Sequence, residues 1–378
     1  MSDTPLGLYI HWPYCARICP YCDFNVYRAR GKDDALFDAL LADLDYWVAL
    51  LRGRRLSSIH FGGGTPSLMT AQQVGRLIER AHDGFDFDPD IEIGLEANPN
   101  DVDRFAPFAG AGVNRLSLGV QSFQDGPLKA LGRDHDGDAS QKALGAALST
   151  FANVSIDLIY AREGQTEAAW ATELSEALAT GISHLSLYQL TIEPGTAFAK
   201  RVDRGELSPP GDDVGERLYR LTQTLCDDAG LSGYEISNHA MPGAESRHNR
   251  LYWEGGDWIG IGPGAHGRIG SHSQGGRLAT ETALRPSDYI RRQTETGTGS
   301  TSETLSALDE VRERILMGLR VDGGLDLDRL KRTTGLGMNP DEMTRYVAQG
   351  WLKQSRTHLS FSKEGRLLAD GIAAALCP

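Results

Sequence analysis

No stretch of the chain approaches the roughly 18 uncharged apolar residues that a membrane-spanning helix needs. Its opening, MSDTPLGLYIHW, lacks the basic segment and long apolar core of a secretory signal. A cytoplasmic protein is expected. Positive charge is scarce too: 38 Lys and Arg face 51 Asp and Glu, for a formal net charge of −13. That sign argues against a surface built to cover phosphate backbone, so no nucleic-acid partner is expected. It also keeps the chain off anionic lipid unless a partner recruits it there. Cysteine is sparse and odd in number. Of five, Cys15, Cys19 and Cys22 fall within eight residues, while Cys226 and Cys377 stand alone. In a reducing compartment such clustering points to metal binding rather than disulfides. What remains is ordinary: 40% apolar and 24% charged residues exclude wholesale disorder, and 378 residues allow two or three domains at roughly 100–200 residues each.

Short β-branched and apolar runs recur at Leu8 to His11, Ser58 to Phe61, Ile91 to Glu96, Arg115 to Val120, Val154 to Ile159 and His184 to Leu190. Between them lie helical spacings such as Leu36, Leu40, Leu44 and Trp47, or Val74, Leu77, Ile78 and Ala81. Strands separated by helices pair in parallel through right-handed crossovers. The fold expected is therefore α/β, a partial (β/α)6 TIM-like barrel over residues 1–232. A Gly-rich extension packing on the barrel follows over 233–300, with a polar linker-like segment from Thr294 to Thr304. Residues 301–378 read as an α+β winged-helix-like domain. Its 11 basic and 10 acidic residues from Leu305 onward favour packing or partner docking over DNA binding.

In an α/β fold, ligand chemistry gathers at the carboxyl ends of the strands. There the sequence sets the cysteines, Gly62-Gly-Gly-Thr-Pro66, Glu96-Ala-Asn-Pro99, Gly119-Val-Gln-Ser122 and Asp157. Three thiols at spacings of four and three can hold an iron–sulfide cluster and leave one iron open to a ligand. A zinc loop completed by a remote residue is the alternative. His11, across Pro13, reads as a core or supporting group.

The CxxxCxxC loop after the first strand and Phe61-Gly-Gly-Gly-Thr-Pro-Ser67 after the second resemble the radical S-adenosylmethionine (SAM) superfamily. The likeness runs through Glu96-Ala-Asn-Pro99, Arg115 to Gln121, Leu131-Gly-Arg133, Ile156 to Tyr160 and Gly260-Ile-Gly-Pro-Gly-Ala-His266, nearly the whole chain. It is similar to the coproporphyrinogen III oxidase-like branch, and within it to the haem chaperones. The resemblance implies that Cys15, Cys19 and Cys22 ligate a [4Fe-4S] cluster. It further implies that Tyr21 lies near adenine and that Gly63, Gly64 and Thr65 approach the methionine part. Glu96 and Arg133 would meet the SAM amino and carboxylate groups, Gln121 and Asp157 the ribose, and Tyr9 would pack beside the cluster.

Two departures separate this chain from the decarboxylating oxidases, the alternative function within the branch. Those enzymes carry a further cysteine two positions after the third, where this chain has Phe24, and an extension before the first strand. Arg247-His-Asn-Arg-Leu-Tyr-Trp253 instead matches the HNxxYW motif of the haem chaperones. The resemblance thus implies haem as a third cofactor and His248 as its ligand, with His266 as rival. Partners would be haem-acceptor proteins, membrane respiratory complexes among them, with a homodimer left open and peripheral membrane contact through those partners. Cys226 reads as a small buried apolar group and Cys377-Pro378 as inert.

Overall fold

The computed structural model describes residues 4–31 and 33–378. Met1, Ser2, Asp3 and Lys32 lie outside the described residues. Six parallel strands form where the apolar runs predict them: β1 Leu6–Trp12, β2 Arg55–Gly63, β3 Asp86–Ala97, β4 Arg115–Gln121, β5 Asn153–Tyr160 and β6 His184–Gln189. Two short strands, β7 Ser232–Gly233 and β8 Asn238–Ala240, cap the β6 edge antiparallel. On the other side of β1 lie β9 Asp257–Ile261, β10 His266–Ser271, β11 Gly276–Thr282 and β12 Ser300–Leu305. The twelve form one curled sheet in the order β12-β11-β10-β9-β1-β2-β3-β4-β5-β6-β8-β7. It is a partial TIM-like barrel.

Alternation within the strands divides two interiors. Leu6, Leu8, Ile10 and Trp12 of β1 join the main apolar core. So do Leu36, Leu40, Leu44 and Trp47 of α1 (Asp34–Leu51) and Val74, Leu77 and Ala81 of α2 (Ala71–Gly84). Thr70 and Gln73 fix the start of α2 by a reciprocal capping box. The opposite face of the strands carries polar groups, Ser58 and His60 on β2, Glu96 on β3, Ser117 on β4, Asp157 on β5 and Ser186 on β6. These surround the barrel lumen.

Two segments differ from the sequence expectation. Asp257–Ile261 is a fully buried strand pairing parallel with β1, from Leu6↔Asp257 to Ile10↔Ile261, so the parallel array has seven strands. Its apolar run is short and bracketed by glycines, which concealed it. Thr294 to Thr304 is no linker: it closes a helix (Pro286–Thr296), turns at Gly297 with φ 85°, and continues as β12. β12 is an edge strand whose polar side chains are mostly exposed, so its composition imitates a loop.

The C-terminal part has its own core, including Val311, Ile315, Leu330, Leu359 and Ile372. Helix α3 (Ala307–Gly318) and later helices pack against a three-stranded antiparallel sheet of Leu325–Asp326, His358–Phe361 and Leu352–Gln354, a winged-helix-like arrangement.

The turn leaving β9 is the tightest joint between β9 and β1. Gly262 has φ 93°, and a Cβ there would overlap the carbonyl oxygen of His11. Gly262→Ala should therefore lower the midpoint of thermal unfolding by several degrees, equivalent to about 1–3 kcal/mol. A variant melting with the wild type would contradict this packing.

Candidate cluster and nucleoside site

The cysteine loop is pinned at its base. Tyr14 and Cys15 pair in parallel with Tyr27 and Arg28, the Tyr27 amide donates to the Pro13 carbonyl at 2.7 Å, and Ala29 donates to Cys15 at 2.9 Å. Its tip is held as well: the Phe198 amide donates to Pro20 at 2.9 Å, and Tyr21 packs on the Phe198 ring. The three cysteines are free and line one cleft at the carboxyl ends of the strands, together with Tyr21, Gly63, Gly64, Thr65, Glu96, Gln121, Arg133 and Asp157. Tyr9 lies beneath, its hydroxyl 3.0 Å from His11 Nδ1.

Gly63 and Gly64 are required by the protein itself. A Cβ at Gly63 would stand 2.6 Å from the His11 ring, and one at Gly64 would stand 2.8 Å from the Tyr14 carbonyl. The Gly64 and Thr65 amides donate to Trp12 and Tyr14 at 2.7 and 2.9 Å. The glycine loop thus locks against the strand that carries the cysteines.

Charged groups converge from the far side. Glu96 accepts from the Gly63 amide at 3.2 Å and lies 3.1 Å from His60 Nε2. Arg133 turns away from its neighbours Asp134 and Asp136. It donates to Cys19 Sγ at 3.3 Å and to the Gly119 carbonyl at 3.0 Å, while its buried Nε has no partner among the described residues. Asp134 meets His135 and Asn98, which hold its carboxyl down at about 2. Asp136 caps the next helix. Gln121 sits at φ 66°, a strained conformation for a residue with a side chain, at the end of β4.

The donor set fits an iron–sulfur cluster with SAM. Burial raises the Cys15 thiol and pushes Cys22 up to about 11, so in the metal-free chain they hold their protons and metal binding must release them. The Arg133 guanidinium lies where thiolate charge would appear. Among the described residues no three His, Cys, Asp or Glu side chains gather as around a single ion. A four-iron cluster sets each thiolate on a different iron, so this spacing is compatible with one.

HNxxYW lies elsewhere. Its helix (Arg247–Trp253) closes the amino-terminal end of the barrel. The Glu92 carboxylate on β3 accepts from Ser246 Oγ and from the Arg247 and His248 amides at 3.0–3.1 Å, which caps the helix. His248 is 1% exposed. Its Nδ1 lies 2.8 Å from Ser58 Oγ and its Nε2 2.6 Å from the Tyr252 hydroxyl, and its ring stacks on His60 at 5.1 Å. Burial, then His60, holds its pKa well below the ordinary histidine value. Both ring nitrogens are engaged, so in this conformation His248 offers no lone pair to a haem iron, contrary to the sequence expectation. Cys377 donates to the Ala373 carbonyl, and Cys226 is buried in the core.

Sequence reasoning missed His60 and Glu92, which hold Glu96 and the plug helix. The signal was present as polar residues at alternate positions in apolar strands, Ser58 with His60 and Glu92 with Glu96.

Asp157 yields a pH test. Burial, and after it the Glu96 carboxylate, push its pKa up to about 7, against roughly 3.9 for an unfolded aspartate. Between those values the folded chain keeps a proton that the unfolded chain has lost. The resulting stabilisation is complete below about pH 4 and disappears as pH rises through about 7. Urea midpoints of the cofactor-free protein should fall from about pH 5 to 8, and Asp157→Asn should flatten that fall. An unchanged slope in the variant would remove Asp157 as the cause.

The Radical SAM superfamily profile matches residues 9–175, and the HemN C-terminal domain profile matches residues 305–368. The mouse protein named "Radical S-adenosyl methionine domain-containing protein 1, mitochondrial" is 36% identical, covering 100% of this chain and 88% of that protein. "Heme chaperone HemW" of Mycobacterium tuberculosis is 36% identical over 100% of this chain and 96% of that protein. Its namesake from Escherichia coli is 34% identical over 97% of each. Among solved structures, coproporphyrinogen III oxidase (HemN) from Escherichia coli shares the fold, with a TM-score of 0.83 at 23% identity over 99% of this chain and 90% of that one. With cysteine loop, glycine loop and charged groups on one rim, the chain belongs to the radical SAM superfamily, in the coproporphyrinogen III oxidase-like branch that includes proteins named HemW.

Proposed function

We propose that this protein is a haem chaperone that carries a [4Fe-4S] cluster and SAM, binds haem, and passes it to acceptor proteins, respiratory haem proteins among them. The observation that carries the reading is the full-length likeness to relatives named as haem chaperones. The cleft supports it. Cys15, Cys19 and Cys22 would hold the cluster, which supplies an open iron that chelates the SAM methionine and can deliver an electron to its sulfonium.

Glu96 would take the amino group and Arg133 the carboxylate, a planar guanidinium suiting a planar anion. Gln121 and Asp157 would bond the ribose, Tyr21 would flank the adenine, and backbone at Gly63, Gly64 and Thr65 would border the methionine. Tyr9 supports the floor through His11. Phe24, at the position where the decarboxylating oxidases carry a fourth cysteine, is 63% exposed at the cleft and has no metal-binding chemistry. Among the described residues no helix is long and apolar enough to cross a membrane, so respiratory targets would be met by docking. Work in the cytoplasm is the setting we propose.

Anaerobically reconstituted protein, loaded with haem and mixed with an acceptor lacking haem, should lose its haem to that acceptor. Vinyl product formed catalytically from coproporphyrinogen III, with SAM and reductant, would replace this reading with the oxidase. Cys22→Ser should lose the iron–sulfide absorption and most cluster iron while melting close to the metal-free wild type. Retention of full cluster iron would remove Cys22 from the ligand set.

A further inference from the structure

The HNxxYW helix and the cleft are tied to the same strand. On β3, Glu92 anchors the helix by accepting from the Ser246 hydroxyl and from the Arg247 and His248 amides. Glu96, four residues on and on the same face of the strand, lines the cleft. His60 of β2 lies between them: in the register of the two strands Ser58 stands opposite Glu92, and His60 opposite Gly94. A Cβ at Gly94 would come within 2.8 Å of His60 Nδ1, so the glycine opens the slot that the imidazole fills. Both Glu96 oxygens are held there. Oε1 lies 3.1 Å from His60 Nε2, and Oε2 accepts from the Gly63 amide at 3.2 Å. A carboxylate only accepts, so the hydrogen of the first pair sits on Nε2. Each oxygen keeps further acceptor capacity, and the half-buried side chain opens on the cleft. The His60 ring is fixed in turn, lying nearly parallel to the His248 ring at 5.1 Å and to the Tyr9 ring at 6.2 Å. Ser58 and Tyr252 hold His248 by both of its nitrogens.

We infer that His60 positions Glu96 for the SAM amino group, and that the HNxxYW helix sets His60 through His248, so the motif tunes SAM affinity from the far end of the barrel. The inference rests on the assignment of Glu96 to that amino group and adds what holds the carboxylate in place. A free glutamate side chain samples several rotamers, and an ammonium group pairs well with few of them. Fixing the carboxylate beforehand removes an ordering cost that binding would otherwise bear. His60 and His248 are positioning residues in this arrangement. A buried motif with no open nitrogen thereby gains a role that burial permits: it shapes a site it does not touch.

The test is equilibrium dialysis of SAM against the anaerobically reconstituted full chain, with variants compared at equal cluster iron per chain. His60→Phe keeps a flat ring against His248 and loses the donor, and His60→Leu loses both; each should weaken SAM binding by about tenfold. His60→Gln returns an N–H donor and should recover most of that loss. Glu96→Gln should weaken SAM binding too. The double variant of His60→Phe with Glu96→Gln should bind no more weakly than Glu96→Gln alone, because both substitutions remove one interaction. His248→Gln should weaken SAM binding in the wild-type background and add nothing to His60→Phe. Additive losses at His60 and Glu96, or wild-type affinity in His60→Phe and His60→Leu while Glu96→Gln binds weakly, overturn the positioning role and leave the Glu96 assignment standing. Wild-type affinity in His248→Gln overturns the part given to the helix. Wild-type affinity in Glu96→Gln overturns the Glu96 assignment and the inference together.

Discussion

Two loops press their backbones onto the carboxyl end of β1, and the functional architecture depends on that contact. Gly64 and Thr65 donate to the carbonyls of Trp12 and Tyr14, while Gly262 lies against His11 from the other side. Neither approach tolerates a side chain. β1 is thereby fixed between β2 and β9, and the cysteine loop that follows it inherits the rigidity of three parallel strands. A ligand set on a loop needs such support, because cluster and nucleoside must be held against each other to within fractions of an ångström.

Below that end the barrel interior is polar rather than oily. His248 stacks on His60, His60 meets Glu96, and Glu96 takes the Gly63 amide, so a continuous column joins the plug helix to the rim. Burial favours the neutral forms of several groups around it, raising the pKa of Tyr9 and Tyr252, lowering that of His248 and pushing Asp157 up to about 7. Glu96, on the exposed side of the column, is where a cationic amino group can bring compensating charge. The protein thus spends its polar residues on shaping the floor of the cleft. The opposite side of the strands supplies apolar packing.

Much of this was legible in the chain. The six alternating strands and their helices follow from apolar spacing, and the rim follows from which residues end the strands. The three-cysteine loop stood out by its spacing, and the fold brings it into one cleft with the other strand-end residues. What escaped were features whose cause is distant in sequence. β9 hides as five residues among glycines because its partner β1 lies some 250 residues away, and β12 hides because an edge strand can be polar on both faces. His248 was expected on a haem because its segment resembles the HNxxYW motif of the haem chaperones. Only the fold reveals Ser58 and Tyr252 waiting for both its nitrogens.

The account turns on a cluster held by three cysteines with one iron left for SAM. Mössbauer spectroscopy of protein reconstituted with iron-57, recorded without and with SAM, tests this most directly. The account predicts a four-iron cluster in which SAM changes the signal of a single iron and leaves the others as they were. Iron signals that ignore SAM, or a site filled by zinc in place of iron, would contradict it.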